Sequence, residues 1–510
     1  MKKYCYFLVC FLIIISSFAS PQWYWSKTLS CSNWTMGQAV CVDKLGNAYV
    51  AGNYTAPITF GNFILPLNGP QDFFIAKYNS QGKLLSLQRG SLGKGSEKVT
   101  SIAVDDMGHN LYVTGSFAGQ GKFIDKVFNA NGNSDIFIAK YDITSNLKSI
   151  WVRQIGDSTM NNKTDQWSQL GIDAKGNCYI TGTYRNDILF NSNPFILLTS
   201  SGETDVWVAK FSGENGACQW AQRIQGNANA FDRSHDICVS PQGNSYVVAR
   251  CTGNAIEVDN LKINTLQSQS LAIVKYNPQG IPQWTIPIGA GDAGSIENFF
   301  EANIAIDSSE ENLYVSGTFI DTLNIGNKTI SIPCELFSCS QNTFLAKFSP
   351  QNGNFEWVRT AQPNDGIARN DGLAVDDIGN GVLGGWFLTF SNNPKTLVFE
   401  NTISEQNKDI DITPFIERIF IAKYSSTGSL LWVNATSGGT PDALAQVTGS
   451  FLRDIAVNPQ GNVFSTGEFT NTDIQFGNLP PLPLSEPQSS QQISYWIGQL
   501  SDSIIFESFP

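Results

Sequence analysis

Two histidines, His109 and His235, are all that 510 residues contain. A histidine-based triad or metal centre needs partners for them, and no GxSxG elbow or HExxH motif supplies a setting. The ten cysteines include no adjacent pair and no CxxC, so neither a zinc ribbon nor a redox motif is expected. Charged residues make up 15% of the chain and are acidic in balance, 32 basic against 44 acidic, with no basic cluster. Phosphate backbones need a concentrated positive face, so no nucleic-acid partner is expected. Helical periodicity is nearly absent, while aromatics reach 12% and glycine is abundant. That combination argues against disorder and for an all-β class.

One apolar run stands out, at the start. Lys2 and Lys3 precede the stretch from Tyr4 to Ile15, and Ser17 and Ala19 follow as small residues. This is the pattern of a secretory signal peptide over residues 1–19, and it is too short for a comfortable membrane span. Its removal takes away two lysines and moves the net charge from −12 to −14 (30 basic against 44 acidic). The mature chain is expected to carry no transmembrane segment and to be secreted, periplasmic or on the cell surface.

What the sequence does have is repetition. First strands read AVCVD at Ala39, SIAVD at Ser101, LGID at Leu170, DICVS at Asp236, NIAID at Asn303, LAVDD at Leu373 and DIAVN at Asp454. A tight D-x-x-G-N turn leads to a second strand such as NLYVTGSF (Asn110). The third strand reads like DIFIAKY (Asp135), and the fourth carries Trp151, Trp220, Trp284, Trp357 or Trp432. Period-two alternation makes these strands and the Gly-Asn turns make them hairpins. The spacing is mostly 62 to 69 residues. It exceeds the roughly 40–45 of a minimal blade because a small hairpin recurs between strands two and three, at Ile58, Leu323 and Ile474. The seventh copy stops after its third strand, and residues 22–30, with Trp25 at the right spacing, can complete it. The expectation is one seven-bladed β-propeller over residues 20–510, of four-stranded antiparallel blades near 35–90, 99–156, 167–226, 235–289, 302–360, 371–436 and 452–503.

The D-x-x-G-N-x-Y-V-x-G-x-F pattern, followed by D-x-F-I-A-K-Y and a Trp strand, resembles the seven-bladed β-propeller repeat of exported bacterial proteins. The resemblance implies a scaffold and no defined chemistry. The sequence departs from it at Ser240, where the turn Asp is expected, at Cys251 for an aromatic, and at Ser86 for Trp. The fourth-strand Trp is also similar to quinone-dependent dehydrogenase repeats, but those use a vicinal cysteine pair that is missing here.

Turns 1–2 and 3–4 fall on one uniform face of such a disc. The 2–3 connections and the links between blades fall on the other and vary in length, up to the excursion over 399–417. Variable loops on a rigid frame carry recognition. The leading expectation is therefore an exported, non-enzymatic scaffold that binds a protein or glycan through this face, with no cofactor and no metal. The alternatives are a propeller enzyme with its site at the channel mouth, a hydrolase or lyase ahead of a quinone-dependent oxidoreductase, and a structural envelope or matrix component.

Individual candidates have plain readings. Cys334 and Cys339 share one loop at a separation suited to a local disulfide. Cys41 and Cys238 sit where small residues are needed and read as packing thiols. Asn129 to Asp135 has the look of a calcium loop, but Asp135 shares its register with Asp72 and Asp205 and reads as a turn cap. Gly289 to Gly294 matches GxGxxG without a βαβ setting. The repeated Asp43, Asp105, Asp173, Asp307 and Asp376, and the repeated Lys77, Lys140, Lys210, Lys275, Lys347 and Lys423, read as braces of the uniform face. His109 and His235 read as structural or solvent-facing. Trp34, Trp167, Phe231, Phe299, Phe300 and Phe451 could stack on sugar rings and read first as packing between blades. Sequons at Asn33, Asn53, Asn162, Asn327 and Asn434 matter only in a host that glycosylates.

Overall fold

The structure, a computed structural model, describes residues 21–501 apart from 61–62, 124–125, 145–146, 158–166, 191–194, 202, 228–230, 267–268, 291–298, 333–339, 364–365, 390–394, 400–409, 413–415, 438–447, 471–473 and 483–492. The signal-peptide reading of residues 1–19, the Cys334–Cys339 pair and the Asn162 sequon lie outside the described residues. Among those described there is no helix, and none long and apolar enough to cross a membrane.

Thr35–Val42 pairs with Ala48–Tyr54, which pairs with Asp72–Tyr78 and then Leu84–Arg89, all antiparallel. The same four-step meander starts again at Ser96–Val104, Ser168–Ile172, Arg233–Val239, Phe299–Ile306 and Gly366–Val375. The meander from Thr448–Val457 has its fourth place filled by Gln22–Cys31, which lies antiparallel to Ile493–Ser501 from Gln22↔Ser501 to Leu29↔Tyr495. The architecture is an all-β propeller. The first four meanders stand in separate sheets, while short parallel contacts fuse the last three into one sixteen-stranded sheet.

The recurrent small hairpin has a defined place. Ile58–Phe60, Asp187–Phe190, Ala255–Val258, Thr322–Ile325 and Lys395–Phe399 each extend the fourth strand of the preceding meander. Part of the excess repeat length is therefore strapping between neighbours. Apolar layers do the same: Trp25, Leu29, Phe464, Tyr495 and Ile497 pack with Val40, Val50, Phe74 and Tyr78 in one core that joins the end of the chain to its beginning.

The repeated polar residues brace the uniform face. Asp43 accepts from the backbone N–H groups of Leu45 and Asn47, at 3.0 and 2.8 Å, and from the Asn47 amide at 2.8 Å. Gly46 completes that turn at φ +81°, where a side chain would be strained. Lys140, Lys210, Lys275 and Lys347 donate through Nζ to the carbonyls of Gly213, Pro278, Pro350 and Ser426, in the 3–4 turns of the next meander. Trp151, Trp220, Trp284 and Trp357 donate to the same four carbonyls. Trp25 repeats the bond to Ser80. Asp135 accepts from Asn131 N–H at 3.0 Å, matching Asp72 with Asn68 and Asp205 with Ser201. The turn-cap reading describes it.

Candidate functional site

The first strands face the axis, and residues from all seven line one cavity of about 320 Å³. It opens toward the variable side into a pocket of about 110 Å³, sharing Gln38, Gln169, Asn303, Asp371 and Arg453 with it. Toward the uniform face it opens into a wider mouth of about 640 Å³ through Val239, Ile306 and Val375.

Six of the seven first strands carry a β-bulge, five of them at one register. The extra residue is Gln38, Thr100, His235, Asp371 or Arg453, and in Phe299–Ile306 it falls between Phe299 and Ala302. A bulge leaves its extra residue out of the ladder and re-aims its side chain. Here Gln38, His235, Asp371 and Arg453, with Glu301 from the bulge before Ala302, line the variable-side pocket.

The next residue along the strand has a different task. Ser101 Oγ accepts from Leu170 N–H at 3.4 Å, Asp236 Oδ2 from Ile304 N–H at 3.0 Å, and Asp454 Oδ2 from Val40 N–H at 2.8 Å. Each bond crosses to another first strand, and the last joins the final meander to the first. Burial pushes the Asp236 and Asp454 carboxyls up to about 7, but their oxygens are occupied by these backbone donors.

The bulged residues keep capacity in reserve. Asp371 Oδ2, His235 Nε2 and Arg453 Nε are buried atoms with no hydrogen-bond partner among the described residues. Burial pushes Asp371 up to about 7; Arg453 and Arg369 pull it down, and Glu301 and Glu468 push it further up. Burial, followed by the charges of Arg233 and Arg250, holds His235 well below its ordinary value, so its imidazole is neutral. Burial works against the Arg453 charge, and Glu468, Asp371 and Glu301 outweigh it. The Arg453 guanidinium donates through Nη2 to Glu468 Oε1.

At the rim stands Trp167, 51% exposed. Phe231 is 56% exposed, with the Arg185 guanidinium 5.8 Å from its ring centre. The expectation of packing between blades is corrected for these two, and it describes Phe451, which meets Trp386 edge-on at 5.2 Å. The side chains of Phe299 and Phe300 lie outside the described residues. His235 is buried within Arg233–Val239 and lines the cavity wall. His109 is at the opposite mouth, its backbone N–H held by Asp105. Cys41 and Cys238 are free, partly buried thiols raised chiefly by burial, in keeping with packing. The Asn53 sequon is buried and bonded both ways to the Val99 backbone, at 2.8 and 3.2 Å, so no glycan can be attached in the folded state. Asp371, Glu301 and Arg453 were not singled out from sequence; they stand one or two residues before the repeated motifs, where the copies share no residue type.

No family model matches the chain. An uncharacterized WD repeat-containing protein of Acanthamoeba polyphaga mimivirus is 24% identical over 390 residues, which is 64% of this chain and 27% of that protein. The chain therefore spans about a quarter of that relative's length. The resemblance to an exported bacterial family finds no matching model, and this relative is viral. Among solved structures, a quinohemoprotein alcohol dehydrogenase from Comamonas testosteroni is 10% identical at a TM-score of 0.40, over 94% of this chain and 76% of that one. The polysaccharide lyase Uly1 is 7% identical at 0.40, over 92% and 90%. The Dos1 propeller is 7% identical at 0.37, over 95% and 96%. At these scores none of them bears on the site.

Proposed function

We propose that the chain is an exported, non-enzymatic scaffold, a seven-bladed propeller of exported bacterial type closed by its N-terminal strand, that binds a protein or glycan on its variable side. Seven first strands around one cavity, and Gln22–Cys31 beside Ile493–Ser501, support the blade count and the closure. The observation that carries the binding reading is Trp167, half exposed at the rim of a pocket whose buried Asp371, His235 and Arg453 atoms have no partner among the described residues. Natively unmet buried polar groups cost stability unless a ligand meets them. An exposed indole beside amides and carboxylates suits a glycan better than an apolar partner. Screening the purified protein against immobilised glycans, with Trp167→Ala as control, tests this. Binding that Trp167→Ala abolishes supports it; binding that is absent or indifferent to Trp167 overturns it.

A second reading, a propeller hydrolase or lyase, rests on Asp371, whose raised carboxyl inside a cavity fits a general acid. Release of reducing ends from a glycan that binds, lost in Asp371→Asn, decides for it.

A further inference from the structure

The variable-side pocket is lined by both signs of charge in equal number, Arg233 and Arg453 against Glu301 and Asp371. Its buried atoms without a partner among the described residues are of both kinds as well. Arg453 Nε–H only donates, and Asp371 Oδ2 only accepts when the carboxyl is ionised. The Nε2 of His235, a residue 9% exposed, does one or the other according to the tautomer. Asp371 and Arg453 face each other across one seam. Each is the extra residue of its bulge, on consecutive first strands, and the Arg453 charge acts on the Asp371 carboxyl. Gly372, beside Asp371, lies so near the next first strand that an added Cβ would meet Ile455 Cγ1 at 3.0 Å. An anion entering this pocket meets two carboxyls and a cation meets two guanidiniums, so either gives up its water without a net gain in charge. A hydroxyl both donates and accepts. It answers all three unmet atoms whichever imidazole tautomer is present, and Gln38, Gln169 and Asn303 around them suit hydroxyls too.

We propose that this pocket takes an uncharged sugar through a vicinal pair of hydroxyls, one accepting from Arg453 Nε–H and the other donating to Asp371 Oδ2, with the sugar ring against Trp167. The inference rests on the glycan reading above and adds what that glycan is: neutral, and held by its diol rather than by a charged substituent.

Calorimetry with neutral, uronate and free-amine oligosaccharides of gluco, manno and galacto configuration, at low and high salt, tests it. The neutral form of at least one configuration is expected to bind about tenfold tighter or better than its uronate and its amine, because each of those brings a charge against like charges. Its affinity should hold between low and high salt, where binding carried by charge weakens. Asp371→Ala and Arg453→Lys, which keeps a cation for Glu468, should each weaken it about tenfold or more, since a hydroxyl is left unpaired. Asp371→Asn retains an accepting oxygen and should keep most of the affinity, and guanidinium unfolding shows that each variant is folded. A neutral preference that either Asp371→Ala or Arg453→Lys leaves unchanged overturns the diol assignment. A uronate or amine that binds as tightly as its neutral form, and still depends on Trp167, overturns the uncharged sugar and leaves the glycan reading standing. Binding of none of the oligosaccharides, or indifference to Trp167, overturns both.

Discussion

The two ends of the same seven first strands treat their polar residues in opposite ways. At the uniform end, Asp43, Asp173, Asp307 and Asp376 accept from their own turns, and a lysine and a tryptophan meet on one carbonyl of the next meander. At the other end, Asp371, His235 and Arg453 hold atoms without partners among the described residues. A group that recurs blade after blade is spent on the frame. A group that appears once, at a bulge, is left with capacity for something else. Three perturbations press on this contrast.

The largest effect should come from Trp25. It donates to Gln499 Oε1 at 2.6 Å and Ser80 O at 3.1 Å, and its ring lies against Gly82, where an added Cβ would meet it at 2.5 Å. It is also part of the core that joins the last meander to the first. Trp25→Ala should cost about 3–5 kcal/mol in guanidinium unfolding, as large-to-small changes in a core do. Trp167→Ala, at the exposed rim, should stay within about 0.5 kcal/mol. Similar losses for the two would mean that Trp167 is frame as well.

A smaller effect, and a finer test, lies where the frame departs from its own pattern. Ser240 stands where the turn Asp belongs, and the vacant role is filled from the next meander. Glu310 accepts from the Asn244 amide at 2.8 Å, from the Tyr246 hydroxyl, and pairs with Lys275 at 3.3 Å. Glu310 occupies the turn position that elsewhere holds Gly46 or Gly176, at φ +59°, so its backbone is strained to reach there. Glu310→Ala should cost about 1–3 kcal/mol, the range for leaving buried partners unmet. The double change Ser240→Asp with Glu310→Gly should recover most of it, by restoring the ordinary turn and removing the strain. No recovery in the double-mutant cycle would show that Glu310 does not substitute for the Asp.

Why one end was legible in the sequence and the other was not follows from the same contrast. Hairpin turns, the Lys–Trp braces and Trp25 announce themselves because most of the copies repeat them, and repetition is visible without coordinates. The swap of Glu310 for an Asp at position 240 was visible only as an irregularity, because a contact between adjacent meanders has no fixed sequence spacing. Asp371, Glu301 and Arg453 were invisible for a further reason. They stand at a bulge that slips the two-residue period by one, so a strict alternation assigns them no particular face. Their residue types also differ from blade to blade, so no alignment of the copies lifts them out. His235 was noticed only for its rarity, and rarity said nothing of the cavity it lines.

The smallest effect is also the one whose sign separates the two ends. Asp371 is raised by burial from an ordinary carboxyl value of about 3.9 to about 7 in the folded chain. The folded state then binds its proton more tightly than the unfolded state. Its contribution is fully present below about pH 4 and is lost as pH rises through about 7. Asp307 is buried as well, yet bonds from Asn312, Ser309 and Glu311 outweigh burial and lower it. Its contribution is present above the ordinary value and is lost as pH falls through the lowered one. Asp371→Asn should therefore match wild type near pH 4 and exceed it by about 1 kcal/mol near pH 8, a modest share of what full burial would give, since Asp371 keeps some accessible surface. Asp307→Asn should be destabilised near pH 8 and approach wild type in acid. Chemical denaturation of both variants across that range reads the two slopes directly. If both profiles run parallel to wild type, or tilt the same way, the bulge carboxyl and the turn carboxyl are not in opposite states and the contrast between the two ends fails.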